Sequence, residues 1–246
     1  MALDVSVIIP TFNEEACIEK TLKAISGQSA SFEYEILVCD GGSTDRTRQI
    51  ANRYARVVVS PSRGQAAQTN FGANISESEI LVFIDADTIV PKNYLQHVNR
   101  AFENDKSLLA CGASINYSGK GPMIRLGNVS CKINKYFFIN FAMYMWYVSR
   151  NLLRFTEIPG CNICVRKDVF YEVGGFKQPL PNMGMDVSFS FALRALSKRR
   201  GAGKLKILRS LVVWTSPRHI SAEKSIRRLR NYRRIIDVAR DAWRDK

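Results

Sequence analysis

Histidine is almost missing from this chain: two residues in 246. No Ser-His-Asp or Cys-His set appears among its motifs, which weakens a hydrolase built on a covalent nucleophile. Cysteine is sparse as well. The six (Cys17, Cys39, Cys111, Cys131, Cys161, Cys164) are scattered, several inside apolar runs. A secreted disulfide scaffold would be shorter and denser in cysteine, so reduced, mostly buried thiols are expected. Cys161-Asn162-Ile163-Cys164 has zinc-like spacing, but no second Cys/His pair at ligand spacing accompanies it, which argues against a structural metal there. The N-terminus, Met1 to Val5, lacks the charged region and cleavage site of a secretory leader, so a cytoplasmic location is expected. Neither a repeat nor a low-complexity linker divides the chain, which points to a single domain. No stretch is long enough to span a bilayer. The best candidate is the 14 uncharged residues between Lys135 and Arg150. As a helix they reach about 21 Å, against a hydrocarbon core of about 30 Å.

What is present is ordinary globular composition, 46% hydrophobic and 24% charged, enough for a sizeable core. The net charge of +14 is concentrated at one end. From Lys198 to Lys246 there are 16 basic and 4 acidic residues, a net of +12. The basic signal therefore belongs to the C-terminal fifth, where residues 222–246 form a candidate amphipathic helix with apolar positions at Ile226, Leu229, Tyr232, Ile235, Ala239 and Trp243. Either that helix docks on the fold with a solvated basic face, or it binds a polyanion. RNA is disfavoured, because aromatic residues suited to base stacking are limited to Tyr232 and Trp243.

Along the first half, short apolar runs alternate with helical periodicity. Strands are expected at Val5–Pro10, Glu35–Cys39, Val57–Val59 and Ile80–Ile84, with helices at Glu14–Gly27, Ser43–Tyr54 (capped by Ser43), Gln65–Asn74 and Asn93–Asn104. Strand and helix in this alternation predict an α/β fold with a doubly wound, mostly parallel sheet flanked by helices. The second half is less regular. Strands are expected at Leu108–Ile115, Gly160–Arg166 and Leu205–Trp214, and helices at Asp168–Val173 and Asp186–Ser197.

In such a sheet, ligands bind beyond the carboxyl ends of the strands, at the switch point. Three predicted strand ends open into polar, acidic segments: Pro10-Thr11-Phe12-Asn13-Glu14, Asp40-Gly41-Gly42-Ser43-Thr44-Asp45 and Asp85-Ala86-Asp87. Like charges gathered on one edge repel, so folding alone accounts poorly for all three. Asp85 and Asp87, directly after a buried strand, can face one divalent cation and the diphosphate it bridges.

Taken together, Val5–Glu14, Asp40–Asp45, Arg63-Gly64-Gln65 with Asn70 and Gly72, and Asp85-Ala86-Asp87 resemble the motifs of family 2 glycosyltransferases, in order and spacing. Gly160-Cys161-Asn162 with Arg166, Gly174-Gly175-Phe176 and Gly184-Met185-Asp186 resemble the family's acceptor-side motifs. The resemblance covers about residues 4–220. It implies a GT-A fold in residues 1–221, with a nucleotide-sugar half to about 115 and an acceptor half beyond it. It also implies inverting transfer of one sugar from a UDP- or GDP-sugar, with Mg²⁺ or Mn²⁺ as cofactor.

By the same resemblance, Pro10, Thr11, Asn13, Glu14, Asp40, Arg63, Gly64, Asp85 and Arg218 would hold the nucleotide sugar. Asp87 would ligate the metal, with His219 a second candidate, and Asp186 would be the general base. Gly160, Asn162 and Arg166 would lie on the acceptor side. Two departures stand out. The family often has Glu where Met185 stands and a second acidic residue where Ser188 stands, so a different tuning of the base is expected. The Gln-x-x-Arg-Trp pattern of processive synthases is missing, which favours addition of a single sugar. Asp186 has a structural alternative as the N-cap of its helix. A nucleotidyltransferase would carry a Gly-rich basic loop after the first strand, where this chain has Thr11-Phe12-Asn13-Glu14. A non-catalytic polyanion binder using the C-terminal helix is the alternative from a different class.

The aromatic stretch from Lys135 to Arg150 is either a buried core helix or an interfacial one, where Trp and Tyr are favoured and flanking Lys132, Lys135, Arg150 and Arg154 meet headgroups. With the basic C-terminus, it raises the expectation of a peripheral enzyme on the cytoplasmic face of an anionic membrane, using a lipid-linked acceptor such as a polyprenyl phosphate.

Overall fold

A computed structural model describes residues 4–117, 123–126, 129–132, 158–177 and 184–216. The aromatic stretch after Lys132, Arg218, His219 and the basic C-terminal segment lie outside the described residues.

Nine strands are described: β1 (Val5–Thr11), β2 (Tyr34–Asp40), β3 (Arg56–Val59), β4 (Ile80–Ile84), β5 (Leu108–Tyr117), β6 (Met123–Leu126), β7 (Val129–Lys132), β8 (Asn162–Arg166) and β9 (Lys204–Thr215). Six helices accompany them: α1 (Ile18–Ser26), α2 (Thr47–Ala51), α3 (Gln65–Ile75), α4 (Tyr94–Asn104), α5 (Lys167–Glu172) and α6 (Met185–Arg200). Seven strands form one sheet in the order β3-β2-β1-β4-β8-β5-β9, while β6 and β7 pair separately. All neighbours in the large sheet run parallel except β8, which lies antiparallel between β4 and β5. The mostly parallel α/β sheet expected from the alternation is present. The inserted antiparallel strand could not be read from periodicity, because a buried run carries no sign of its direction.

Alternation along the strands sorts the core into two layers. Val5, Val7 and Ile9 of β1 and Ile80, Val82 and Ile84 of β4 pack with α1 and α4. Ile8, Leu81 and Phe83 face the other way, among residues of α3, α5 and α6. Small residues let α3 sit close on the sheet: a Cβ at Gly72 would collide with Ile8 and Cys39. Phe83, Phe170, Phe176 and Phe189 stack at centroid separations of 4.4–5.7 Å, joining β4 to the elements around α5 and α6.

The chain leaves β1 for β2 and β3 on one side and returns to β4 on the other. The switch point therefore falls between the carboxyl ends of β1 and β4.

Helices α1 and α2 start later than periodicity predicts, for one shared reason. The loops after β1 and β2 bond to each other instead of extending the helices. The Asn13, Glu14 and Glu15 amides donate to Ser43 Oγ, Thr47 Oγ1 and Asp45 Oδ2 at 2.9, 2.7 and 3.1 Å. Thr44 N donates back to Asn13 Oδ1 at 2.9 Å. Ser43 is thereby spent on the neighbouring loop and caps no helix.

Candidate active site

At the switch point, Pro10, Thr11, Phe12 and Glu14 of β1 and its loop, Arg63 to Gln65 and Gln68 at the start of α3, and Asp85 to Asp87 after β4 line a cleft of about 270 Å³. Of the three acidic loops, the one after β2 does not line it. Asp40 is fully buried. Its carboxylate accepts from the Gly42 and Ser43 amides at 3.0 and 2.8 Å, from Ser43 Oγ at 2.5 Å and from Thr11 Oγ1 at 3.3 Å. These bonds make Asp40 the anchor of its own loop beside the end of β1. Asn13 sits at φ 53°, which Asn tolerates better than most residues, and its side chain caps Thr44 rather than lining the cleft.

Asp85 and Asp87 differ. Asp85 Oδ1 accepts from Gln65 Nε2 at 2.9 Å, and its amide donates to Cys161 O at 3.2 Å. Burial, then the charges of Asp87 and Asp186, push the Asp85 carboxyl up to about 8. The Asp87 Oδ1 oxygen accepts from Thr215 Oγ1 at 3.2 Å. Asp186, in the first turn of α6, thus converges electrostatically on the same place. Its helix is N-capped by Gly184 without a side-chain bond, so Asp186 is not the cap. Gly160 abuts it: a Cβ there would stand 3.0 Å from Asp186 Cβ and Oδ2. A side chain at 160 would press on the carboxylate.

Arg63 stacks its guanidinium 3.7 Å over the Phe12 ring at the cleft mouth. Gly64 adopts φ 122°, a conformation that side chains resist, and its amide donates to Gln68 Oε1 at 3.3 Å. The buried Gln68 ties the strand ends together, donating to Thr11 O and Cys39 O at 2.6 and 2.8 Å. Sequence reasoning placed Gln65 in a motif without giving it a role, and passed over Gln68 and Thr215. The available signal was their position: Gln65 and Gln68 open the helix after Gly64, and Thr215 ends the last strand.

Two of the acceptor-side candidates are engaged in contacts within the fold. Arg166 pairs in register with Ile80, at the opposite end of β4 from Asp85. There it donates to the carbonyls of Leu108 and Phe102 at 3.0 and 2.8 Å, stabilising the end of α4. Asn162 is fully buried and pins β8 to β5, accepting from the Ala113 amide. Polar, strand-terminal residues have the same sequence signature whether they face substrate or close a sheet.

Cys161 and Cys164 are buried, as expected for thiols within apolar runs. Among the described residues, no three His, Cys, Asp or Glu side chains are grouped to hold a metal by themselves. The chemistry of the cleft nonetheless suits a hard cation. It has oxygen donors on Asp85 and Asp87, and burial together with the neighbouring charges of Asp87 and Asp186 raises the Asp85 carboxyl to about 8. Mg²⁺ and Mn²⁺ are commonly held by one or two carboxylates completed by substrate phosphates.

Comparison with known proteins gives the architecture a context. The profile of Glycosyl transferase family 2 matches residues 6–173. Glycosyltransferase AglE of Haloferax volcanii is 30% identical over 189 residues, covering 73% of this chain and 58% of that protein. Validoxylamine A glucosyltransferase of Streptomyces hygroscopicus is 24% identical over 215 residues, 77% of this chain and 51% of that protein. The chain thus spans little more than half the length of these relatives. Among solved structures, S. aureus TarS 1–349 in complex with UDP-GlcNAc superposes with a TM-score of 0.64 at 19% identity, over 89% of this chain and 60% of that one. The mannosyltransferase PcManGT from Pyrobaculum calidifontis, in complex with GDP-Man and Mn²⁺, gives 0.61 at 21%, over 87% and 57%. These two likenesses show a shared fold.

Proposed function

Since the chain belongs to glycosyl transferase family 2, we propose that it is an inverting glycosyltransferase that moves one sugar from a UDP- or GDP-sugar to an acceptor. The observation that carries the proposal is the meeting of Asp85, Asp87 and Asp186 at the switch point, beside a cleft walled by the starts of α3 and of the β1 loop. Proteins of the same fold carry UDP-GlcNAc in one case and GDP-Man with Mn²⁺ in another.

Each residue has a task that follows from its chemistry. Pro10, Thr11 and Glu14 border the nucleotide, with Asp40 and Asn13 supporting that wall. Gly64 lets the backbone approach the donor closely, and Arg63 leaves Phe12 to meet the phosphates. Asp85, steadied by Gln65, holds the ribose or sugar. Asp87 would hold Mg²⁺ or Mn²⁺ together with the diphosphate; His219 and Arg218 are proposed to join from the following segment. When bound, the cation neutralises charge developing on the leaving diphosphate. Asp186 takes the acceptor's proton as the acceptor oxygen attacks the anomeric carbon. One displacement inverts that carbon, and no protein nucleophile is required. Met185, in place of a neighbouring Glu, spares Asp186 one source of repulsion.

For the acceptor, the uncharged residues 136–149 and the basic residues 222–246 support a lipid-linked molecule, such as a polyprenyl phosphate, met at the cytoplasmic surface of an anionic membrane. Among the described residues, no helix is long and apolar enough to cross a membrane. Co-sedimentation with anionic vesicles at low salt tests this part. Absence of binding, with transfer to a soluble acceptor, contradicts it.

The donor is tested by screening UDP- and GDP-sugars for binding and slow hydrolysis, with Mn²⁺, with Mg²⁺ and in EDTA. Cation-dependent binding of at least one sugar nucleotide is expected. Binding of none, or binding indifferent to the cation, overturns the proposal.

A further inference from the structure

The Asp-x-Asp loop is fastened to the end of β9 in two ways. Its backbone bridges that strand, with Ile89 N donating to Trp214 O at 2.7 Å and Trp214 N to Ile89 O at 2.9 Å. Its side chains continue the contact one residue further: Thr88 Oγ1 donates to Thr215 Oγ1 at 3.1 Å, and Thr215 Oγ1 donates to Asp87 Oδ1 at 3.2 Å. Thr88 is fully buried and Thr215 nearly so, at 7% exposure. A hydroxyl has one proton to give, and an ionised carboxylate can only accept. The direction of the chain is therefore fixed, from Thr88 through Thr215 to Asp87.

We infer, on the basis of the cation site proposed above, that Thr215 is a positioning residue that sets the orientation of the Asp87 carboxylate for a divalent cation. Its hydroxyl occupies Oδ1 and so fixes the plane in which the carboxylate meets its ligand. Thr88 in turn fixes the hydroxyl. Residues that hold a metal ligand in place commonly change metal affinity by about 10-fold or more when removed.

The test measures Mn²⁺ binding by electron paramagnetic resonance, without and with UDP or GDP, on the full chain. Thr215→Val keeps the shape and removes the hydroxyl; Thr215→Ser keeps the hydroxyl. Loss of about 10-fold in Mn²⁺ affinity for the valine variant, with serine recovering most of it, is the expected result. Thermal unfolding is read in parallel, since a merely structural role would lower the melting temperature of the valine variant and leave its Mn²⁺ affinity unchanged. That outcome overturns the inference. Asp87→Asn is the control. If it abolishes Mn²⁺ binding while Thr215→Val does not weaken it, Thr215 is excluded and the cation site stands. If Asp87→Asn binds Mn²⁺ normally, the cation site and the inference fall together.

Discussion

The two ends of the β4–β8 pair are built from the same kinds of residue and do opposite things. At one end, Ile84 pairs with Asn162, and the chain opens into Asp85 and Asp87, facing Asp186. At the other, Ile80 pairs with Arg166, whose guanidinium is met by backbone carbonyls at the end of α4 and the start of β5. Nearby Asp105 receives the Ser107 hydroxyl at 2.5 Å and Lys204 Nζ at 3.1 Å, and these two partners, in that order, hold its carboxyl below the usual range. Charge at this far end is satisfied and stabilises the fold. At the near end it is buried and crowded, and burial, then the charges of Asp87 and Asp186, push the Asp85 carboxyl up to about 8. Folding gains nothing from that crowding, whereas binding a cation and a diphosphate relieves it.

Substitutions on either end should separate function from stability. The largest effect belongs to Asp87→Asn, which should abolish turnover and weaken cation-dependent donor binding, read by calorimetry and product formation. Asp186→Asn should leave donor binding intact while transfer falls by roughly 10²-fold or more, measured under single-turnover conditions. A near-normal rate in that variant would move the base elsewhere. Arg166→Met at the far end should cost about 1–3 kcal/mol in denaturant unfolding, by leaving carbonyls without their donor, with the kinetic constants of the folded fraction unchanged. The smallest effects are in pH dependence. Asp85 has a raised folded-state value, so the cation-free native state binds more protons than the unfolded chain between the usual carboxylate range and about pH 8. Stability should fall as pH rises through that window, and Asp85→Asn should remove the slope. Asp105 has a lowered value, so its contribution is present above the usual carboxylate range and is lost as pH falls through the folded-state value. Unfolding curves in EDTA at several pH values check both signs.

The strands and the acidic turn after β4 were legible because a continuous apolar run ending in Asp-x-Asp is a local pattern. Ile80–Ile84 matched residue for residue. What a single sequence could not display was which polar residues were already spent. Asp40 and Asn13 look identical in sequence to cleft-lining groups, yet Asp40 bonds its own loop and Thr11, and Asn13 bonds the adjoining loop. The position of Arg166 was not legible, because the direction of β8 decides which end of the sheet it reaches, and apolar patterning does not encode direction. Thr215 is 128 residues from Asp87 in sequence, so no local pattern could join them.

The most direct measurement is a crystal structure with Mn²⁺ and UDP or GDP, locating the metal by its anomalous scattering. A single Mn²⁺ peak within bonding distance of the Asp87 carboxylate, bridging to the diphosphate, is the predicted result. A metal bound elsewhere, or a nucleotide seated away from the ends of β1 and β4, would contradict the account.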